Sequence, residues 1–151
     1  MVRILIRECT RQDLDSIFQL DTLWDEEGVA YVFTHSNRED FIADFERFPK
    51  YFLVAESDGQ IIGYINGSVL INHKVEVLPK QEMYLEIENI YVKAEFRNMH
   101  VGGDLLEQLL TVAERNGIKR FVVSTVTKDM DRILKFYRCY GFRPWFVELF
   151  K

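Results

Sequence analysis

Residues 82–126 leave this chain few choices. The run EMYLEIENIYVK (82–93) is long, β-branched and aromatic and reads as a strand; Leu105, Leu106, Leu109, Leu110 and Ala113 then recur at helical spacing until Asn116-Gly117 stops them. KRFVVSTV (119–126) is the following strand. A strand, a helix and a strand in that order form a crossover unit, so the two strands are expected to be parallel neighbours joined right-handed.

The rest of the sequence supplies more sheet and more helices. VRILIRE (2–8) alternates as a strand does, and Thr10 with Asp13 three residues later has the pattern of a capping box. Leu14, Ile17, Phe18 and the apolar positions of 20–24 give the next helix its buried side before residues 25–28 interrupt it. Ser36 and Glu39 form a second box, Phe41, Phe45 and Phe48 mark one helical face, and Pro49 ends the run. YFLVAES and QIIGYINGSVLI flank Asp58-Gly59, a hairpin signal. A last helix is expected over residues 130–139, ending at Tyr140-Gly141, with a terminal strand around 145–150. No repeat, linker or composition break divides the 151 residues, so the reading is one α/β domain over 1–151.

Composition narrows the function classes. Apolar residues make up 48% and Gly plus Pro only 11 positions, which excludes disordered and collagenous chains. Charges interrupt every apolar run, and the first thirty residues carry Arg3, Arg7, Glu8, Asp13 and Asp15; neither a membrane span nor a secretory signal is expected, and the cytoplasm is. A net charge of −5 argues against a nucleic-acid partner. Cys9 and Cys139 match no metal or redox spacing and read as reduced thiols, Cys139 partly buried. The histidines at 35, 73 and 100 have no ligand spacing, so no metal site is expected.

Between the first crossover strand and its helix lies Glu95-Phe96-Arg97-Asn98-Met99-His100-Val101-Gly102-Gly103. At such a turn, unpaired backbone N–H groups and the positive end of the helix dipole converge on whatever anion is offered, most simply a phosphate. Gly102 and Gly103 let a ligand approach the backbone, and Arg97 adds charge; two permissive glycines at an ordinary helix start are the plainer interpretation. No Lys-Ser/Thr follows the glycines and no G-x-G-x-x-G is present, so this is neither a P-loop nor a dinucleotide fingerprint.

Three features together resemble the GNAT superfamily of acyl-CoA-dependent N-acyltransferases. They are Ile90-Tyr91-Val92 at a strand end, Arg97-x-x-His100-x-Gly102 opening a long helix, and Phe136-Tyr137-x-x-x-Gly141-Phe142, in the family's order and with two helices before the hairpin. The resemblance spans essentially the whole chain. It implies a central mixed, largely antiparallel sheet of about six to seven strands with a splayed parallel pair and helices on both faces. It further implies acetyl-CoA as cosubstrate, held by Ile90, Tyr91, Val92, Arg97, Asn98, Met99, His100, Val101, Gly102, Gly103 and Asp104, and a primary amine as acceptor. His100 stands where the family has its first turn glycine and is read as pointing outward; Met130 stands where the family often has an asparagine.

By the same resemblance Tyr137 matches the general acid toward the CoA sulfur, and the Val92 N–H matches the donor that polarises the thioester carbonyl. Glu88 matches a position where some members carry a base acting through water. Glu86 alternates with it in the same strand, so Glu86, Glu88 and water stay open as the base. The acceptor groove falls in residues 24–35 and 72–81, where Asp25, Glu26 and Glu27 offer negative charge to a cationic amine and Tyr31 and Phe33 pack its carbons. A homodimer is compatible with this reading. The competing one is a catalytically silent acyl-CoA-binding sensor or interaction module.

Overall fold

The computed structural model describes residues 2–28, 37–125, 128–149 and 151. The strands are β1 (Ile4–Glu8), β2 (Phe52–Ser57), β3 (Gln60–Ile71), β4 (Met83–Val92) and β5 (Phe121–Val123), and the helices α1 (Leu14–Glu26), α2 (Arg38–Arg47), α3 (Val101–Arg115) and α4 (Met130–Arg138). Among the described residues the strands form one sheet in the order β1-β2-β3-β4-β5, antiparallel except for β4 and β5. The crossover unit read from residues 82–126 is therefore present, with the parallel pairing it requires.

Local chemistry sets the element boundaries. The Thr10 N–H and hydroxyl both donate to the Asp13 carboxylate, at 2.8 and 2.9 Å, and Arg7 clamps that carboxylate with two nitrogens. Asp58 and Gly59, at φ +49° and +76°, make the tight β2–β3 turn. The cap of α2 is Asn37, whose side chain accepts from the Asp40 N–H at 2.8 Å, one residue past the expected Ser36, which lies outside the described residues. Gly117 (φ +82°) ends α3, and Gly141 (φ +85°) follows α4.

Each face of the sheet carries its own core. On one side Leu53, Ala55, Ile65, Leu85, Ile87 and Val92 meet Leu105, Leu106 and Leu109 of α3 and Tyr137 of α4. On the other side Phe52, Val54, Tyr64 and Tyr91 meet Ile17, Phe18 and Leu20 of α1 and Phe41 of α2, with Phe45 and Phe48 packed alongside.

Three expectations fail. Among the described residues the sheet has five strands rather than six or seven, and residues 142–149 form no strand: Trp145, Phe146, Val147 and Leu149 are exposed, Leu149 by 87%. An apolar β-type run becomes a strand only where a partner edge satisfies its backbone, and β5 offers three residues of edge. Cys139 is likewise exposed rather than partly buried, because it sits past the packed face of α4. Cys9 is buried, and that burial pushes its thiol up to about 12.

Candidate active site

The site begins with a fault in the sheet. β3 and β4 pair regularly from Ile71↔Met83 to Gly67↔Ile87, then resume at Asn66↔Asn89, so Glu88 is an extra residue on β4. Such a bulge bends its strand and changes which residues face each neighbour. Before it, Leu85 faces β5 and donates to the Arg120 carbonyl at 2.9 Å. After it, Lys93 donates to the Ile62 carbonyl at 2.9 Å, so by alternation Tyr91 also faces β3 while Ile90 and Val92 turn their backbone groups to the β5 side. β5, however, pairs only with Leu85, Glu86 and Ile87. Past Ile87 the two parallel strands have separated, and Val92 faces the gap. The second strand expected over 119–126 is short for the same reason.

α3 starts directly beyond this gap. His100 precedes it at φ +67° and provides no side-chain cap; the first helical bond is from the Asp104 N–H to the His100 carbonyl at 3.0 Å. Val101, Gly102 and Gly103 thus present N–H groups with no helical acceptor, which is an anion-binding arrangement. Their two glycines differ in use. A Cβ on Gly102 would touch the Phe136 ring and the Val92 side chain at 3.9 Å, ordinary van der Waals contact, so half-buried Gly102 has room for a methyl without displacing a neighbour. A Cβ on Gly103 would collide with the Tyr140 hydroxyl and come within 2.9 Å of His100 Nε2, so Gly103 is a packing residue. The His100 side chain is exposed, as expected, and its left-handed φ is the conformation that a glycine would adopt freely. Asn98 is left-handed too (φ +62°); Asn98, Met99 and Asp104 are exposed.

Arg97 is engaged by protein. Its Nε donates to the Val92 carbonyl at 2.9 Å, and its Nη2 donates to both carboxylate oxygens of Glu27, at 2.7 and 2.8 Å. The Tyr91 hydroxyl donates to the same carboxylate at 2.7 Å, the Arg97 guanidinium lies over the Tyr91 ring, and Trp24 stacks on that ring at 5.4 Å. Burial alone would raise the Glu27 carboxyl, but the Tyr91 and Arg97 bonds outweigh it and hold the group below the usual range. Lys128 donates to the Glu27 carbonyl at 2.7 Å. Thus Tyr91 points away from the α3 side, whereas Ile90 and Val92 pack toward it.

Glu88 as a residue is solvent-exposed and Glu86 half-buried, yet protein atoms crowd both carboxyls and raise both above the usual range. For Glu88 burial is the main cause, a hydrogen bond with Ser68 opposes it, and the negative charges of Glu86 and of Asp44 on α2 add to it. Asp44 is raised as well, first by burial. Tyr84 shares the surroundings of both glutamates. Asn89 donates to the buried Asn66 at 3.0 Å close by. Glu88 therefore lies toward Asp44 of α2, and Glu86 alternates with Leu85 and Ile87, which pack in the core that holds Tyr137, so both glutamates lie on the opposite side of the sheet from that tyrosine. That tyrosine is buried between Phe136 and Phe142, which pushes its phenol up to about 12 and keeps it protonated at neutral pH.

Asp25 and Glu26 are exposed at the end of α1, whereas Tyr31 and Phe33 lie outside the described residues. Met130 opens α4 and is exposed. No cluster of metal-ligating side chains occurs among the described residues. No helix among them is long and apolar enough to cross a membrane. Sequence reasoning missed the bulge, Ser68, Asp44 and the pairing of Glu27 with Arg97. Gly63 and Gly67 inside β3 were the available signal for close approach of β4: a Cβ on either would lie 2.8 Å from a β4 carbonyl.

The chain belongs to the acetyltransferase (GNAT) family, whose model matches residues 12–142. Solved structures agree in fold. The aminoglycoside N-acetyltransferase AAC(6')-Iy, solved with a bisubstrate analog joining CoA and an acetylneamine, is similar with a TM-score of 0.74 at 18% identity, over 99% of this chain and 97% of that one. Arabidopsis thaliana Naa50, solved with the bisubstrate analogue CoA-Ac-MVNAL, is similar with a TM-score of 0.70 at 17% identity, over 91% and 82% of the two chains. Glucosamine-6-phosphate N-acetyltransferase from Arabidopsis thaliana gives 0.69 at 18% identity, over 99% and 97%.

Proposed function

We propose that this acetyltransferase moves the acetyl group of acetyl-CoA to a primary amine by direct attack. The observation that carries the reading is the start of α3 beside the end of β4, where Gly102, next to Val92 and Phe136, is half-buried, β4 no longer pairs with β5, and three helix N–H groups lack helical acceptors. A pyrophosphate suits those N–H groups, and the gap suits a thioester arm passing from one face of the sheet to the other. The neighbours solved with CoA adducts support acetyl-CoA as the donor.

The donor supplies an activated thioester carbonyl, and the chain's residues do the rest. The Val92 N–H, facing the gap, donates to the carbonyl oxygen as negative charge develops there. Glu88 takes a proton from the ammonium, directly or through water, freeing the lone pair that forms the new C–N bond; Glu86 is the alternative base. As the C–S bond breaks, Tyr137 passes its phenolic proton to the sulfur, and the second proton lost by the acetylated nitrogen returns through water to the phenolate. The raised carboxyls of Glu86 and Glu88 bring a base nearer neutral pH, and the buried phenol stays loaded with its proton. The acceptor reaches β4 from the α2 side, where Asp44 adds negative charge. Small amines, polyamines, antibiotics, peptide N-termini and protein lysines all fit such a face.

Calorimetric titration with acetyl-CoA followed by a free-thiol assay across an amine panel tests the reading. Micromolar binding with amine-dependent thiol release is the expected result. Tight binding without acetylation of any amine would favour the sensor role, and absence of binding would refute the donor assignment.

A further inference from the structure

Where β4 parts from β5, Val92 has no strand partner among the described residues for either of two groups, because the N–H and C=O of one strand residue point the same way. Arg97 replaces the missing strand for only one of them: its Nε holds the carbonyl, at 2.9 Å. Among the described residues the N–H beside it is left to the gap. Arg97 in turn is fixed from the far side of the sheet, its Nη2 shared by the two oxygens of Glu27, which also accepts from Tyr91. A free arginine side chain samples many rotamers; this one is held at its Nε by a carbonyl, at its Nη2 by a carboxylate and over its face by an aromatic ring.

We infer that Glu27 is a positioning residue for the reaction: it locks Arg97 onto the Val92 carbonyl, so that the Val92 N–H alone faces the developing oxyanion. An uncapped carbonyl next to that oxyanion would repel it, and movement of the Val92 backbone would misaim the adjacent N–H. The Arg97 side chain thus serves the reacting end of the donor rather than its phosphates, for which the backbone N–H groups of Val101, Gly102 and Gly103 suffice. This rests on the acyl-transfer reading above.

The test uses Glu27→Gln, which keeps an acceptor for Tyr91 while removing the charge, and Glu27→Asp, which keeps the charge and shortens the reach. With acetyl-CoA and with acetyl-pantetheine, which lacks the phosphates, Glu27→Gln should lower kcat by the same factor. About 10- to 100-fold is expected, less than the 10²- to 10³-fold typical of deleting an oxyanion donor outright, with donor KM changed less than about threefold. A loss confined to the KM for acetyl-CoA and absent with acetyl-pantetheine would overturn the inference, since Arg97 would then be a phosphate ligand. Independently of turnover, the Arg97 Nε–H resonance in a 15N correlation spectrum, assigned by its disappearance in Arg97→Lys, should exchange slowly in the parent and stay protected when CoA is added. It should exchange faster in both Glu27 variants. Undiminished protection in Glu27→Gln, or release of the Nε–H on adding CoA to the parent, would refute the positioning role. A parent that transfers no acetyl group but shows the expected resonance behaviour would refute the acyl-transfer reading while leaving the Glu27–Arg97 lock in place.

Discussion

Gly102 offers the sharpest separation of ligand binding from folding. A Cβ there would stand 3.9 Å from atoms of Phe136 and Val92, an ordinary van der Waals distance. Gly102→Ala therefore costs the fold nothing in contacts and removes a glycine from the first turn of α3. Alanine is favoured over glycine by about 1 kcal/mol in a helix interior, and by roughly half that so near the end. For a chain of this size that is a rise in Tm of about 1–2 °C. The same methyl occupies the space that a pyrophosphate needs to reach the Gly102 N–H. A hydrogen bond to a charged group contributes about 1.5–3 kcal/mol net, so the CoA dissociation constant should rise about 10- to 100-fold. Calorimetry with CoA and a thermal melt read the two effects separately. Gly103→Ala is the control, because its methyl must displace Tyr140 and His100; its melting temperature should fall below that of Gly102→Ala. Unchanged CoA affinity in a folded Gly102→Ala protein would refute the phosphate cradle, and a Tm loss of more than about 5 °C would refute the room for a methyl at Gly102.

The other expectations concern chemistry and pH. Tyr137→Phe keeps the packing against Phe136 and Phe142 but removes the acid, so kcat should fall roughly 10²- to 10⁴-fold with CoA affinity little changed; full turnover in a chemistry-limited assay would end the acid assignment. A base works only when ionised, so kcat/KM in the parent should climb with pH through the raised Glu88 value. Glu88→Gln should remove that limb, and its survival there with loss in Glu86→Gln would move the role to Glu86. His100→Gly relieves a left-handed side-chain residue, a strain of about 1 kcal/mol, and CoA affinity should stay level or rise; a large loss would mean that the imidazole touches the donor. Asp13, held at about 2 chiefly by its bond from Arg7, lies below the ordinary 3.8 of a free carboxyl. It therefore stabilises the fold above about pH 4 by roughly 2 kcal/mol, and that contribution drains away as pH falls toward 2. Chemical denaturation of Asp13→Asn should show the loss at pH 7 and a flatter acid limb; parallel pH profiles for variant and parent would refute it.

How much of this was readable in advance differs by residue. The β3 span was legible to the residue, because apolar alternation and Asp58-Gly59 are local signals. The cap at Asn37 was misplaced by one position, since Ser36 and Asn37 are both good caps and only the backbone path chooses between them. Residues 145–149 were misread because a strand's existence depends on an edge elsewhere in the chain. In the site, the α3 turn and Tyr137 were visible through their motifs. The role of Arg97 was not: spacing shows a cation near a turn, while its partner Glu27 lies 70 residues away in the sequence.

By itself, then, the sequence determined the periodicities, the turns, the crossover unit and hence the parallel pair, all of which depend on residues near one another along the chain. Tertiary structure decided where that pair would part. The bulge at Glu88 exists only in the pairing of β3 with β4, and it is the bulge that turns the backbone groups of Val92 toward the gap. It likewise decided that Gly102 has room for a methyl and Gly103 does not, because Phe136 of α4 stops at contact distance from the first while Tyr140, just past that helix, covers the second. Identical residues side by side in a sequence acquire different functions when only one of them is covered by the rest of the fold.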